Sequence, residues 1–144
     1  MNILFIGTQG VYHPLIAAQW YLHSIIPSQI KDIPFLGSLS IEEHGQPLLV
    51  GIDEWGNKVY ILGVGYDVTM AEKSIQQLAE IFHPADEYLA VQTIRTRGEY
   101  WLFLLHRLAR IPFLLEFCQR LAVALLQLNF DFICGQVQRF KNNF

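Results

Sequence analysis

The opening stretch of the chain, residues 2–22, reads NILFIGTQGVYHPLIAAQWYL. A short, continuous apolar run that ends at Gly7 is typical of a buried strand, and such a strand at the start of a chain is typical of α/β domains. Pro14 suits the first turn of a helix, where its missing N–H would have no partner. Leu15, Ala18 and Leu22 then recur at helical spacing. The chain is therefore predicted to begin as strand, loop and helix.

The middle of the chain predicts more elements of both kinds. Residues 47–51 and 58–63 predict a β-hairpin, because Gly56 and Asn57 in its turn tolerate positive φ. An apolar stripe predicts a helix over 70–82, with Thr69 and Glu72 as a capping box. Residues 27–45 predict an irregular connection with one helical turn, and residues 88–92 a strand. We expect one α/β domain over residues 1–144, with a mixed, mostly parallel sheet and helices on both faces.

Residues 99–128 are overwhelmingly apolar and predict a helical region broken at Pro112. Such a surface forms either the core of the domain or a docking surface, because large exposed apolar patches mark interfaces. Two predictions remain for residues 130–144, because they contain Gly135: a strand followed by a helical tail, or a helix throughout. As a docking surface, the region predicts four aromatic anchors: Tyr100, Trp101, Phe103 and Phe113.

The composition excludes disorder and limits the membrane interpretation. The 144 residues are 52% hydrophobic and 16% charged. The charge-free run 121–130 is half the roughly 20 residues that a membrane span needs, so we expect no span. The N-terminus lacks the basic region of a signal peptide, which predicts a cytoplasmic protein. Cys118 and Cys134 are expected to be buried, reduced thiols.

The charge of the chain is unevenly distributed. Residues 1–94 contain three basic and ten acidic residues, whereas residues 95–144 contain seven basic and three acidic ones. Contact with an anionic surface, or an acidic half folding onto a basic half, would explain this asymmetry, and incidental solvated charge is the alternative. The acidic total and the lack of a recognisable motif argue against nucleic-acid binding.

The first loop is a candidate anion site. In α/β domains, backbone N–H groups between the first strand and the first helix converge on a phosphate. The loop lacks a Walker A lysine and the third glycine of a dinucleotide fingerprint, so a tight structural turn is the alternative. The residues suited to hydrogen-bonding an oxyanion or to approaching it closely are Gly7, Thr8, Gln9, Gly10 and His13.

Arg95 and Arg97 follow the predicted strand 88–92. If the two strands are parallel neighbours, the arginines share a crevice with the first loop, where their planar forks suit phosphate or carboxylate. Two solvated arginines are the alternative. The run 41–45 contains two glutamates and a histidine without metal-ligand spacing, so no metal site is expected. His23, His83 and His106 are predicted to lie at helix surfaces or ends.

The run GIDEWGNKVYILG at residues 51–63, with His44-Gly45 and the glycine-containing first loop, resembles an uncharacterised domain-of-unknown-function family of small proteins known mainly from spore-forming Firmicutes. The resemblance extends over most of the chain and implies an α/β domain without an established activity. In the family pattern the first loop contains a cysteine and a Gly-Gly-x-His-Ser sequence. Gly7, Tyr12 and Pro14 stand at those positions here, which implies a divergent member that has lost a nucleophile.

These observations predict a non-catalytic, intracellular interaction protein that self-associates or binds a protein partner through residues 100–130. The alternative is a small enzyme or sensor that binds a phosphorylated or carboxylated ligand between loops 7–13 and 93–98. No catalytic residue and no cofactor are predicted, because no nucleophile and base are paired in the sequence.

Overall fold

Four strands form one mixed sheet in the computed structural model, which describes residues 1–82 and 87–143. The strands are β1 (Asn2–Gly7), β2 (Leu48–Ile52), β3 (Lys58–Gly63) and β4 (Leu89–Thr93), and they lie in the order β2–β3–β1–β4. β1 pairs in parallel with β3 and β4, whereas β2 and β3 are antiparallel. The predicted mixed, mostly parallel sheet with a β-hairpin is confirmed.

β1 lies inside the sheet because it is apolar on both faces. Ile3 and Phe5 are fully buried in a large core on one face, while Leu4 and Ile6 are buried in a small core on the other. Side chains alternate along a strand, so a continuous apolar run can fill two cores at once. The N-terminal run therefore organises both layers of the fold.

Helices cover both faces of the sheet, as predicted. One face carries the large core, to which α1, α4, α5 and α6 contribute, and the other carries α3. Two short 3-10 helices, Pro27–Asp32 and Pro112–Leu114, lie in the connections. In the described part of the chain the α-helices are α1 (His13–His23), α2 (Leu39–His44), α3 (Val68–Phe82), α4 (Glu99–Leu108), α5 (Leu115–Leu128) and α6 (Phe130–Asn142).

Two details of α3 differ from the prediction. The helix begins at Val68, and Asp67 rather than Thr69 caps it, since the Asp67 carboxylate accepts a hydrogen bond from the Met70 N–H at 3.1 Å. Residues 69 and 72 are used elsewhere, because Thr69 accepts a bond from Arg95 and the Glu72 carboxylate accepts one from Thr93. The predicted apolar stripe is also only partly buried, with its C-terminal end exposed at Leu78 and Phe82.

Residues 130–142 form a single helix, α6, which runs through Gly135. No single helix among the described residues is long and apolar enough to cross a membrane. Residues 112–128 and 130–142 together pass that test by length and composition, but the chain bends by 57° between them. Of the cysteines, Cys118 is buried and Cys134 is half-buried.

The three isolated histidines lie in different environments. His23 is exposed at the end of α1, as predicted. His106 lies at a helix end, as one of the two predicted places requires, but it is buried rather than at a helix surface. It lies in the last turn of α4, on the side of that helix facing Tyr12, whose ring it meets edge-on at 5.6 Å. His83 lies outside the described residues.

Candidate functional site at the sheet edge

The topology places a crevice where the carboxyl ends of β1 and β3 meet. The chain leaves β1 into α1 on one face of the sheet and leaves β3 into α3 on the opposite face. When two neighbouring parallel strands continue toward opposite faces, the space between their following loops is the usual ligand position in open α/β sheets. The strand order therefore selects this edge as the candidate site.

The loops that follow β1 and β3 remain hydrogen-bonded beyond the strands. The Val64 N–H donates to the Gly7 carbonyl at 2.9 Å, and the Gly65 N–H donates to the Thr8 carbonyl at 3.2 Å. A Cβ atom at Gly10 would lie 2.7 Å from the Gly63 nitrogen, so only glycine permits this approach of the two backbones. The floor of the crevice is therefore mostly peptide backbone.

A carboxylate from α2 occupies the backbone donors of the first loop. The Val11 N–H donates to Oε2 of Glu42 at 3.4 Å, and the Gly10 amide donates to the same carboxylate. These amides lie just ahead of α1, where the positive end of the helix dipole favours an anion. Burial raises the pKa of Glu42, although the bonds from Val11 and Gly10 oppose that shift. The loop therefore binds an anion, and that anion belongs to the chain itself.

A cavity of about 490 Å³ opens beside this carboxylate. We call it the sheet-edge cavity. Its far wall is α4 and the turn after it, which present side chains at positions 103, 106, 107 and 110. This spacing places all four on one side of the helix. The residues that line the sheet-edge cavity are Thr8, Gln9, Glu42, Glu43, Gly63, Gly65, Phe103, His106, Arg107 and Arg110.

Three of the lining residues carry buried polar atoms without a hydrogen-bond partner among the described residues. They are Oγ1 of Thr8, Oε1 of Gln9 and Nδ1 of His106. Gln9 is 3% exposed and His106 is 4% exposed, so bulk solvent does not reach these side chains to hydrogen-bond them. Most buried polar atoms in folded proteins are paired, and exceptions concentrate where a ligand, ion or water belongs. Their grouping around one cavity makes it the candidate binding site.

The charges around the sheet-edge cavity balance. Arg110 lies 3.8 Å from Glu43, and the guanidinium of Arg107 lies 5.6 Å from the centre of the Phe103 ring. Burial and the charge of Arg110 lower the pKa of His106, while Glu43 opposes that shift. His106 is thus neutral at pH 7. Two arginines face two glutamates, and the lining has no net charge as it stands.

The predicted loop residues separate into two groups. Thr8 and Gln9 line the sheet-edge cavity, whereas His13 turns beneath the loop, where a Cβ atom at Gly7 would lie 2.5 Å from its Nε2. His13 is fully buried, and its Nε2 lies 3.6 Å from Oε1 of Glu99. Burial, assisted by the positive charge of Arg95, lowers the pKa of His13 to about 3, so this contact is not an ion pair. The first loop thus contributes Thr8 and Gln9 to the sheet-edge cavity and His13 to the buried interior beside Glu99.

The predicted arginines do not line the sheet-edge cavity. Arg95 donates to Oγ1 of Thr69 at 3.2 Å and lies 3.9 Å from Glu99, and the guanidinium of Arg97 lies 5.6 Å from the centre of the Phe132 ring. β1 and β4 are parallel neighbours as that prediction required, yet Arg95 meets the His13 side of the first loop. The cationic wall comes instead from α4 and the turn after it, through Arg107 and Arg110.

Sequence reasoning missed Glu42 and the residues of the α4 wall. Phe103, His106, Arg107 and Arg110 stand at positions i, i+3, i+4 and i+7, and this spacing places a polar group on one side of an otherwise apolar helix. No sequence signal paired Glu42 with Val11, because the two are 31 residues apart. Among the described residues, no cluster of histidine, cysteine and acidic side chains could hold a metal ion.

Comparison with known proteins assigns the chain to a protein family. The model of the family described as "Protein of unknown function (DUF3189)" matches residues 2–142. The chain belongs to this family. Neither the curated proteins nor the solved structures contain a significant match to it. For this DUF3189 member, the resemblance noted in the sequence is therefore confirmed at the level of the family, which carries no activity with it.

This DUF3189 chain also exposes an apolar surface on two adjacent helices. Trp101 on α4 is 59% exposed, and Phe113, just before α5, is 82% exposed. The two helices pack against each other. Phe103 differs from the other predicted anchors, since it is half-buried and its ring lies 4.7 Å from that of Tyr66. We define the apolar face as Tyr100, Trp101, Phe113, Phe117, Leu121 and Leu128, all of them exposed.

Proposed function

We propose that the protein binds a small oxyanion ligand, either a phosphorylated or a carboxylated molecule, in the sheet-edge cavity. The observation that carries the proposal is the set of unpaired buried atoms on Thr8, Gln9 and His106 beside two arginines. An unsatisfied buried polar atom costs about 1–3 kcal/mol, and a ligand that pairs with it recovers part of that cost. Arginine supplies planar donors that match phosphate and carboxylate oxygens.

The size and position of the sheet-edge cavity support the same proposal. Its volume of about 490 Å³ lies within the range of small-molecule pockets, which is roughly 300–1,000 Å³. It opens at the carboxyl edge of two parallel strands whose connections diverge, the position where open α/β sheets bind ligands. The proposal concerns binding; the residues on this wall suggest recognition of an anion rather than a covalent reaction.

The test is a thermal-shift screen of the purified chain with phosphate, nucleotides and small carboxylates. A ligand at about 100 times its Kd stabilises the fold by roughly 2.7 kcal/mol, which raises Tm by several degrees. We expect a shift with at least one of these anions in the wild-type chain or in a Glu42→Gln chain, in which the cavity loses one negative charge.

Two double variants locate the site. We expect Arg107→Gln with Arg110→Gln to abolish the shift, because it removes the cationic wall of the sheet-edge cavity. The matched control, Arg95→Gln with Arg97→Gln, removes the same charge from outside the cavity and is expected to retain the shift. The reverse result would place the ligand between loops 7–13 and 93–98 and overturn the proposal.

A second candidate function is protein association through the apolar face. Contiguous exposed apolar surface beyond a few hundred Å² usually marks an interface, and aromatic anchors dominate the energy of such contacts. Phe117 and Leu121 are four residues apart on one side of α5, and Phe113 precedes them by four residues in the 3-10 turn before that helix. We propose that this row, together with Trp101, forms the centre of a contact with a second copy or with another protein.

A further inference from the structure

Glu42 occupies the place that an anionic ligand would take at the first loop. Its carboxylate accepts hydrogen bonds from the amides of Gly10 and Val11, at the positive end of α1. A Cβ atom at Gly63 would lie 2.0 Å from Oε1 of Glu42, so the end of β3 leaves room for this oxygen only because residue 63 is glycine. The two strand ends and the loop together form a cradle for an oxyanion.

The unpaired atoms of the sheet-edge cavity are closed to solvent in this arrangement. Oγ1 of Thr8, Oε1 of Gln9 and Nδ1 of His106 each have almost no accessible area, although their residues line the cavity. A ligand reaches such atoms only after a neighbouring side chain moves. Glu42 lines the same cavity and is hydrogen-bonded to the loop that carries Thr8 and Gln9, so its departure would open the cavity on the side of that loop.

The element that carries Glu42 is weakly anchored. α2 contains only the six residues Leu39–His44, and none of its side chains is fully buried. Short segments with few buried apolar contacts open at a small free-energy cost compared with global unfolding. Gly45 ends α2 at a positive φ of 61°, and a Cβ atom there would meet nothing within 4 Å, so no packing holds this end of the helix at residue 45. Of the α2 side chains, the half-buried Ile41 packs against the large core, so movement of α2 would remove one contact from its edge and none of its fully buried residues.

The charge balance of the sheet-edge cavity favours an incoming anion that replaces a glutamate carboxylate over one that binds in addition to both. Its two arginines are matched by Glu42 and Glu43, and Arg110 lies 3.8 Å from Glu43. An anion that entered beside both glutamates would meet a negative excess in a partly buried site, where like charges repel strongly. An anion that replaced one glutamate would preserve neutrality. If Glu42 is the glutamate that is replaced, the amides of Gly10 and Val11 become free to donate hydrogen bonds to the ligand.

We propose that the oxyanion ligand displaces Glu42: the carboxylate leaves the amides of Gly10 and Val11, α2 moves outward, and the ligand takes those amides and uncovers Gln9 and His106. This inference rests on the proposed function, since it assumes that an oxyanion binds in the sheet-edge cavity. It makes Glu42 an internal competitor. The affinity of the protein for its ligand then depends on how often α2 is open.

The experiment measures binding of inorganic phosphate to three chains by calorimetry. Glu42→Gln keeps the shape of the side chain and removes its charge. Glu54→Gln removes one negative charge from the exposed β2–β3 turn and is the matched control. If the open state is populated at 10% or less, removing the competitor lowers Kd by about tenfold or more. We expect that change for Glu42→Gln and none for Glu54→Gln.

Hydrogen exchange gives a second measurement on the unmodified chain, and it decides the matter if Glu42→Gln fails to fold. Phosphate is expected to increase amide exchange in residues 39–45. Stronger protection there, or equal Kd values for wild type and Glu42→Gln, would overturn the displacement of Glu42 while leaving the binding site in place. If neither wild type nor a folded Glu42→Gln chain binds any oxyanion of the screen, the proposed function itself fails.

Discussion

His13 is a fully buried histidine that stays neutral. Neither of its ring nitrogens has a hydrogen-bond partner among the described residues, and its Nε2 lies 3.6 Å from Glu99. Its pKa of about 3 in the folded protein lies below the value near 6.5 of an unfolded chain, because burial penalises the charged ring. Acid therefore favours the unfolded chain, because His13 binds a proton at a higher pH in the unfolded chain than in the folded one.

The consequence at residue 13 is a loss of stability between about pH 6.5 and pH 3. In that window the unfolded state binds one more proton at this site, so His13 lowers the free energy of unfolding by about 1.4 kcal/mol per pH unit. We expect His13→Gln to show a flatter acid dependence in urea unfolding at pH 7, 5 and 4. His23→Gln, exposed at the end of α1, serves as the control and should keep the wild-type slope. Equal slopes for all three chains would contradict a neutral His13.

At the scale of elements, two glycines lie in opposite environments. A Cβ atom at Gly63, which ends β3, would lie 2.0 Å from the Glu42 carboxylate and 2.7 Å from the backbone nitrogen of Gly10. At Gly135, inside α6, a Cβ atom would meet nothing within 4 Å. Alanine is therefore obstructed at the end of the strand and unobstructed in the helix.

We expect opposite changes in the free energy of unfolding from the two alanine substitutions. Gly63→Ala should lower it by about 1–3 kcal/mol, because the backbone of Gly10 cannot yield as a flexible side chain would. Gly135→Ala should raise it by about 0.5–1 kcal/mol, since glycine in a helix interior is less favourable than alanine. Chemical denaturation of the two variants measures both. A neutral Gly63→Ala would show that the loops after β1 and β3 do not pack as closely as described.

Elements with a continuous local signal were predictable, and those defined by distant contacts were not. The apolar run of β1 and the spacing of α1 are properties of neighbouring residues. Gly135 left the last segment open, because a glycine is compatible with a bulged strand or with a helix, and only packing of α6 on α1 decides between them. The cap of α3 was misplaced by two residues, which is the usual uncertainty of helix ends.

The candidate site shows the same limit. The loop after β1 was predicted from its position between strand and helix, and it does lie at the sheet edge. The other side of the site was predicted to be Arg95 and Arg97, because the strand before them was expected to be a parallel neighbour of β1, as β4 is. The strand order decides otherwise: the divergent connections follow β1 and β3, so the crevice lies on that side and α4 closes it. Strand order is a property of the whole sheet that no local pattern contains.

At the scale of the whole molecule, the apolar face predicts association. Changing Trp101 and Phe113 to glutamine removes two exposed anchors without touching either core, so the variant should remain folded and have a smaller sedimenting mass than wild type. Leu78→Gln with Phe82→Gln makes a matched control, since it changes two exposed apolar residues on α3, outside the apolar face. A wild-type chain that sediments as a monomer at all concentrations would leave only a different protein as the partner. An unfolded Trp101/Phe113 variant would show that these side chains support the fold.

The contact between Phe5 and Phe140 joins the beginning of the fold to its end. The two rings lie edge to face, with their centres 5.6 Å apart, and β1 itself is completed only by β3 and β4. During synthesis on the ribosome, β1 therefore lacks its partners until residue 93 has been made, and its core stays open until residue 140. Until then β1 is exposed to aggregation, and a chaperone that shields residues 2–7 would protect the strand on which both cores depend.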